Sequence, residues 1–194
     1  MKLIIASNNK GKIREYKQIL EPMGFEVLSQ SEAGISLEAE ETGTAFAENA
    51  AIKARAIFGM TSCAVLADDS GLSVDALNGE PGVYSARYGG LETSEERSQL
   101  VLDKLKDVPE EKRGAHFVCN IHLILQDGRE ITVEGSCSGR IGYAPVGENG
   151  FGYDPIFMFG DKSFAQIPAD EKNRVSHRAD ALSKLIEKLK ETDI

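Results

Sequence analysis

The chain has no tryptophan, only three cysteines and three histidines, and no apolar run as long as a membrane span. Cys63, Cys119 and Cys137 lie far apart and lack the short spacing of a zinc site, so we expect reduced and mostly buried thiols. A helix that crosses a bilayer needs roughly 18 apolar residues. The apolar start of the chain, residues 1–6, is too short for a signal peptide. We therefore expect a cytoplasmic protein without zinc.

The chain has fewer basic than acidic residues, with 22 Lys and Arg against 31 Asp and Glu, so its net charge is −9. This balance opposes general attraction to nucleic acid or to an anionic membrane, so we expect neither as a partner. A polyanionic ligand would have to be held by a local group of cations or by a metal ion. The length of 194 residues suits one domain, 1–194, with at most two lobes.

The N-terminal segment predicts a strand, a polar loop and a helix in succession. Residues 3–6 form the predicted strand, residues 7–12 the loop, and apolar residues from Ile13 onward recur at helical spacing. The free N–H groups at such a helix start favour an anion, and Lys10 and Lys12 would add positive charge. The Gly-Lys-Ser/Thr ending of a P-loop is missing. The alternative is a solvated basic turn.

The central feature is an apolar run, residues 64–67, that ends in Asp68, Asp69, Ser70 and Gly71. We predict a buried strand that delivers the acids to its end, with a tight turn at Gly71 and a further strand over residues 72–77. If the strand continues through the acids, Asp68 and Asp69 point to opposite faces. The alternative is a surface turn, since these residue types favour turns.

The remaining pattern predicts an α/β protein with a mixed sheet. An acidic loop, residues 38–43, precedes an Ala-rich helix over residues 45–60, on which Asn49 and Lys53 share a face. The acids of that loop either compensate the helix dipole or bind a metal ion. Further predictions are a helix capped by Thr93, a hairpin about Asp127-Gly128 and an amphipathic helix over residues 176–191.

The residue types at the loops and strand ends fit a nucleoside triphosphate. Lys and Arg can hold phosphates, and carboxylates without a Cys/His set favour Mg²⁺ over zinc. A further carboxylate could act as general base on a water molecule. Phe151 or Tyr153 can stack on a base, and His177 or Arg178 can donate a hydrogen bond to it. The alternative is a generic α/β binding protein in which these aromatic residues belong to the core.

Six motifs in this order are typical of one family of enzymes. They are Ser7-x-Asn9-x-x-Lys12, Glu41-Thr42-Gly43 before Glu48-Asn49-Ala50, Ala67-Asp68-Asp69-Ser70-Gly71-Leu72, Pro81-Gly82-Val83-Tyr84-Ser85-Ala86-Arg87-Tyr88, Gly150-Phe151-Gly152-Tyr153-Asp154-Pro155, and Ser176-His177-Arg178. On these residues, which span nearly the whole chain, the protein resembles the Ham1/RdgB-type non-canonical purine nucleoside triphosphate pyrophosphatases, the inosine triphosphatase group.

The resemblance implies Mg²⁺-dependent hydrolysis of ITP, dITP and XTP to the monophosphate and pyrophosphate. It also implies an elongated α/β fold with two lobes around a long mixed sheet, an active-site cleft between the lobes, and a homodimer. Two alternatives stay open, a pyrophosphatase with other preferred nucleotides and a nucleotide-binding regulator without turnover. Intact carboxylates at residues 40, 41, 68 and 69 favour the enzyme.

The resemblance also implies roles for individual residues. The triphosphate would lie against Ser7, Asn8, Asn9, Lys10, Gly11 and Lys12, with Lys53 as a further phosphate candidate. Asp69 would be the general base and lie close to the metal, which Glu40 or Glu41 would also bind, with Asp68 as a further candidate. The nucleotide would contact Ser70, Phe151, Gly152, Tyr153, Asp154, Lys172, His177 and Arg178. A buried donor facing the 6-keto group would reject ATP, so we expect Arg178→Ala to weaken mainly the use of ITP.

Overall fold

The structure, a computed structural model, describes residues 1–191 and contains both helices and strands. The strands are β1 Lys2–Ile5, β2 Glu26–Ser29, β3 Ala64–Val74, β4 Gly114–Ile124, β5 Glu130–Ile141, β6 Phe157–Phe159 and β7 Lys162–Ser163. The α-helices are α1 Lys10–Leu20, α2 Phe46–Phe58, α3 Ser94–Lys104, α4 Ala169–Val175 and α5 His177–Glu191. Short 3-10 helices lie at Glu21–Met23, Asp75–Leu77, Gly82–Gly90, Glu110–Lys112 and Phe164–Gln166.

The strands form one mixed sheet in the order β2-β1-β3-β4-β5-β6-β7. β1 pairs in parallel with both β2 and β3, and the connecting segments contain α1 and α2. β6 pairs antiparallel with β5 and β7. The predicted α/β class with a mixed sheet is therefore confirmed.

The described chain divides into two compact units. Unit 1 comprises Met1–Asp69, Cys119–Gly135 and the chain from Arg178 onward, and unit 2 comprises Ser70–Val118 and Ser136–His177. One boundary falls inside β3, between Asp69 and Ser70.

Each unit has its own apolar core. In unit 1, the side chains on one face of β1 and β3, such as Leu3 and Leu66, pack with apolar residues of α1, β4 and α5, such as Leu182. Those that point the other way, such as Ile4 and Val65, pack with Ala54 and Ile57 of α2. Because the side chains of a strand alternate between faces, β1 and β3 are apolar on both.

The core of unit 2 is more aromatic, and its rings pack tilted or in parallel. Phe117 and Phe157 lie 4.6 Å apart between ring centroids, and Phe157 and Phe164 lie 4.9 Å apart. An aromatic pair at this spacing contributes about 0.5–1.5 kcal/mol of stability beyond that from burial of its surface. Among the residues from 1 to 191, no helix is both long and apolar enough to cross a membrane.

Local patterns predicted several elements well. The Thr93 cap of α3, the hairpin turn between β4 and β5, and the extents of α2 and α5 are confirmed. The predicted turn at Gly71 and the separate strand over residues 72–77 are both wrong, since Asp75–Leu77 is a 3-10 helix and β3 runs without interruption from Ala64 to Val74. Its continuation is stabilised by full burial of Leu72, whose N–H donates to Ser85 Oγ at 2.9 Å.

Candidate active site

β3 directs its two central carboxylates to opposite faces, as the strand alternation predicts. Asp68 is 1 % exposed, and its Oδ2 lies 3.0 Å from Lys12 Nζ and 3.4 Å from Arg178 Nη2. Burial by itself raises the pKa of Asp68, but Lys12, Arg178 and Lys53 outweigh burial and hold that pKa well below its usual range. Asp68 is therefore ionised and neutralised by cations from distant parts of the chain.

A second carboxylate, that of Glu15, completes this buried network. Glu15 accepts a hydrogen bond from Arg178 Nη1, and both side chains are buried. Sequence reasoning missed Glu15, although its position three residues after Lys12 on α1 places the two on neighbouring surfaces of that helix. Arg178 is 1 % exposed and contacts both acids, so within unit 1 it neutralises buried charge.

Asp69 lies on the other face of β3, where α2 supplies its partners. Lys53 Nζ lies 3.1 Å from Asp69 Oδ1, and Asn49 Nδ2 donates to Asp69 Oδ2 at 3.2 Å. Burial raises the pKa of Asp69 above its ordinary value, although Lys53 and Lys12 act in the opposite direction. A carboxylate that is more basic than usual, yet held ionised by an ammonium group, suits a general base.

The acidic loop brings one of its two candidate acids to this point. Glu41 Oε1 accepts from Lys53 Nζ at 3.0 Å, so Glu41 and Asp69 converge on the same ammonium group. Glu40 is exposed, whereas Glu41 is half-buried. The sequence left open whether Glu40 or Glu41 lies with Asp69; the structure places Glu41 beside Lys53 and Asp69 and leaves Glu40 exposed.

Two converging carboxylates still fit a magnesium ion. Between residues 1 and 191, no group of three or more His, Cys, Asp or Glu side chains is arranged to hold a metal. Mg²⁺ needs only one or two protein carboxylates when phosphate oxygens and water complete its shell. The oxygens of Glu41 and Asp69 already face one positive charge, that of Lys53. Glu41 and Asp69 together could therefore hold a divalent metal ion.

The predicted phosphate loop forms the start of α1, which begins at Lys10. Asn9 caps this helix, with its Oδ1 accepting from the N–H groups of Gly11 at 2.9 Å and Lys12 at 3.1 Å. Asn9 N–H in turn donates to Ser7 Oγ, and Asn8 Oδ1 accepts from Ser31. The segment is thus a preformed helix start with exposed Lys10 beside it, which favours an anion.

In unit 2, a glycine-rich loop, residues 147–155, and α4 bring together three of the residues predicted to contact the nucleotide. Asp154 Oδ2 accepts from Lys172 Nζ at 2.6 Å and from the Phe151 N–H at 2.8 Å. Lys172 Nζ also lies 4.8 Å from the centroid of the Phe151 ring. The Asp154 carboxylate therefore fixes the backbone of the loop and a cation above its aromatic ring.

Tyr153 is oriented differently from Phe151. Its side chain belongs to the apolar core of unit 2, and its hydroxyl donates to the Ser85 carbonyl at 2.8 Å. Burial raises the pKa of Tyr153 to about 12. Of the two aromatic residues predicted to stack on a base, Phe151 is half-buried, whereas Tyr153 is committed to the core.

The other predicted nucleotide contacts of unit 2 differ in accessibility. His177 is buried at the start of α5, with its ring stacked on that of Phe117 at 4.8 Å. Ser70 is half-buried within β3, and Gly152 has a φ of +62°, a conformation that favours glycine.

The chain matches one protein family, and several of its members, over nearly its whole length. The model of the Ham1 family matches residues 3–188. The dITP/XTP pyrophosphatase of Bacillus subtilis (strain 168) is 49 % identical over 185 residues, 94 % of this chain and 93 % of that protein. The dITP/XTP pyrophosphatase of Exiguobacterium sp. (strain ATCC BAA-1283 / AT1b) is 52 % identical over 188 residues, 95 % of each chain. The structure of the Ham1 protein of Staphylococcus aureus has a TM-score of 0.86 at 42 % identity, covering 99 % of this chain and 100 % of that one.

Proposed function

Because the chain belongs to the Ham1 family, we propose that it hydrolyses dITP, XTP and ITP to the nucleoside monophosphate and pyrophosphate. The observation that supports this most is the environment of Asp69. It is a buried carboxylate of raised pKa with an ammonium group on one oxygen and an amide on the other. The relatives named dITP/XTP pyrophosphatase match over almost the full chain.

In the proposed reaction, Asp69 accepts a proton from a water molecule whose oxygen attacks the α-phosphorus. The bond from that phosphorus to the bridging oxygen breaks, and pyrophosphate leaves. Lys12 and Lys53, which pair with Asp68 and Asp69 in the nucleotide-free protein, would also contact the phosphates. Ser7 to Lys12 would lie against the phosphates at the start of α1, where the helix dipole and the Lys10 side chain provide positive potential.

We propose Mg²⁺ as the cofactor, held by Glu41 and Asp69. When bound, the ion supplies positive charge that polarises the phosphate oxygens. Lys53 contacts both carboxylates, and its flexible side chain can turn to a phosphate when a cation takes its place.

The nucleotide base would be bound by unit 2. We propose that Phe151 stacks on the purine, with Lys172 held over its ring by Asp154. Lys172 and His177 would supply the donors for the 6-keto oxygen of hypoxanthine and xanthine. A site that donates there leaves its donors unpaired against the 6-amino group of ATP, and such sites can discriminate by about 10⁴-fold or more.

The test is pyrophosphate release with Mg²⁺ from ITP, XTP, dITP, ATP, GTP and dTTP at equal concentration. Strong release from the first three and little from the others supports both the reaction and the selectivity. Release from all six supports the reaction but overturns the selectivity. Tight binding of ITP without release from any nucleotide would instead favour the nucleotide-binding regulator.

We further propose that the protein works as a homodimer in the cytoplasm, where the nucleotide pool is found. Light scattering coupled to size-exclusion chromatography tests the first part. A single species of twice the chain mass of 21.0 kDa is expected, and a species of the chain mass at micromolar concentration would contradict it.

A further inference from the structure

Asn49 uses both ends of its side-chain amide in the centre of unit 1. The residue lies in α2 and is fully buried. Its Nδ2 donates to Asp69 Oδ2 at 3.2 Å, and its Oδ1 accepts from the Gly43 N–H at 2.8 Å. One amide therefore links the proposed base on β3 to the acidic loop.

Lys53, one helical turn later on α2, makes the same pair of connections. Its Nζ lies 3.1 Å from Asp69 Oδ1 and 3.0 Å from Glu41 Oε1. Asn49 and Lys53 therefore contact different oxygens of the Asp69 carboxylate, while each also contacts the loop that contains Glu41. Residues four apart share a face of a helix, which makes this double bridge possible.

Gly43 is matched to this arrangement. A Cβ added at Gly43 would lie 2.6 Å from Asn49 Oδ1 and 2.7 Å from Glu48 Cβ. The two residues that follow Gly43 are also held in place, because the Glu48 carboxylate accepts hydrogen bonds from the N–H groups of Thr44 and Ala45. A side chain at residue 43 would force the loop away from the Asn49 amide.

We propose that Asn49 is the positioning residue that orients the Asp69 carboxylate and holds the Glu41 loop beside it. The proposal rests on the function proposed above. An amide is required because it donates and accepts through one short planar group. An aspartate at residue 49 would place an acceptor against the Asp69 oxygen, and an aliphatic residue would leave both Asp69 and the Gly43 N–H without this partner.

The first test replaces the amide by an apolar group of similar size, in Asn49→Leu. The matched control is Asn120→Leu, because Asn120 is also buried in unit 1 and donates to a carboxylate, Glu134, at 3.0 Å. We expect kcat for ITP to fall about 100-fold in Asn49→Leu, since misplacement by about 1 Å has that effect. KM should stay within about 3-fold, and Asn120→Leu should keep kcat within about 2-fold. Unchanged kcat in folded Asn49→Leu overturns the proposal.

The second test measures the loop through the metal and needs no turnover. Binding of Mn²⁺ to the nucleotide-free protein is followed by electron paramagnetic resonance in wild type, Asn49→Leu and Gly43→Ala. Both variants should bind Mn²⁺ about 10-fold or more weakly, since partners that orient metal ligands have effects of this size. Equal Mn²⁺ affinity in all three proteins overturns the role of Asn49 in holding the loop. If Asn49→Leu is too unstable to measure, equal affinity in wild type and Gly43→Ala overturns that role.

The two tests separate this proposal from the function itself. If wild type releases no pyrophosphate, the proposed function fails, and the Mn²⁺ titrations still decide whether Asn49 holds Asp69 and the loop together. If wild type is active and Asn49→Leu matches it in kcat and Mn²⁺ affinity, the function stands and the role of Asn49 is refuted.

Discussion

Arg178 and Asp68 form a buried ion pair, with 3.4 Å between Arg178 Nη2 and Asp68 Oδ2 and side chains exposed by 1 % and 0 %. Glu15 shares the same guanidinium group. The resemblance implied that Arg178 contacts the nucleotide, whereas its contacts in unit 1 are with two acids that would otherwise be buried charges.

Arg178→Ala should therefore destabilise the fold before it changes substrate preference. Breaking a buried ion pair by removing one partner costs about 3–5 kcal/mol, because the remaining charges stay in a dry environment. The measurement is the free energy of unfolding in urea. Arg174→Ala is the control, since its side chain is 72 % exposed and pairs with an exposed Asp170, and it should unfold like wild type. A stable Arg178→Ala protein that loses only the use of ITP would restore the selectivity interpretation.

Asp69→Asn should abolish turnover and leave nucleotide binding largely intact. The amide cannot accept the proton of the attacking water, so kcat should fall by about 10³-fold or more. The Kd for ITP, measured by calorimetry, should stay within about 3-fold. Asp127→Asn, in the exposed hairpin turn, is the control. Near-normal turnover by Asp69→Asn would refute the assignment of the general base.

Lys172→Met and Tyr153→Phe should distinguish the proposed nucleotide contacts of the glycine-rich loop from its contacts with the core of unit 2. Lys172→Met removes the cation above Phe151 and the positive charge that pairs with Asp154, so KM for ITP should rise at least about 10-fold. Steady-state kinetics with ITP measure this effect. A KM that stays at the wild-type value in folded Lys172→Met would remove Lys172 from the nucleotide site.

Tyr153→Phe removes only the buried hydroxyl that donates to Ser85. The loss of one such hydrogen bond should cost about 0.5–1.5 kcal/mol of unfolding free energy and leave KM within about 3-fold. Denaturant unfolding and the same kinetic assay measure the two effects. A large rise in KM at unchanged stability would place the Tyr153 side chain against the nucleotide after all.

His122 should make the stability of the protein depend on pH. Burial lowers the pKa of His122 below its ordinary value of 6.5, although the carboxylate of Glu130 opposes the shift and Arg55 adds to it. At a pH between the lowered pKa and about 6.5, His122 binds a proton in the unfolded chain but not in the folded protein. The free energy of unfolding therefore rises with pH in this range, and the stabilisation from neutral His122 is complete above about pH 6.5. As pH falls through this range, the stability is lost.

His122→Gln should flatten that slope. Unfolding free energies at several values between pH 5 and pH 7.5 measure it, with the more exposed His116 as the control in His116→Gln. A slope that is the same in wild type and His122→Gln would show that other groups set the pH dependence.

Local sequence was sufficient where one short segment decides the outcome. The helical extent of α2, the Thr93 cap of α3, the Asp127-Gly128 hairpin and the divergence of Asp68 and Asp69 all follow from patterns within a few residues. In each, backbone geometry repeats over a short period, so neighbours in sequence determine the structure.

Partners from distant parts of the chain were decided only by the tertiary structure. Asp68 meets Arg178 across 110 positions and Glu15 meets Arg178 across 163, and no local spacing encodes either pair. The same holds for the pairing of Glu41 with Lys53 and for the hydrogen bond from the buried Tyr153 hydroxyl to the Ser85 carbonyl. The residue types and motifs thus indicated the family, while the packing of the strands and helices decided which charges are neutralised inside the fold.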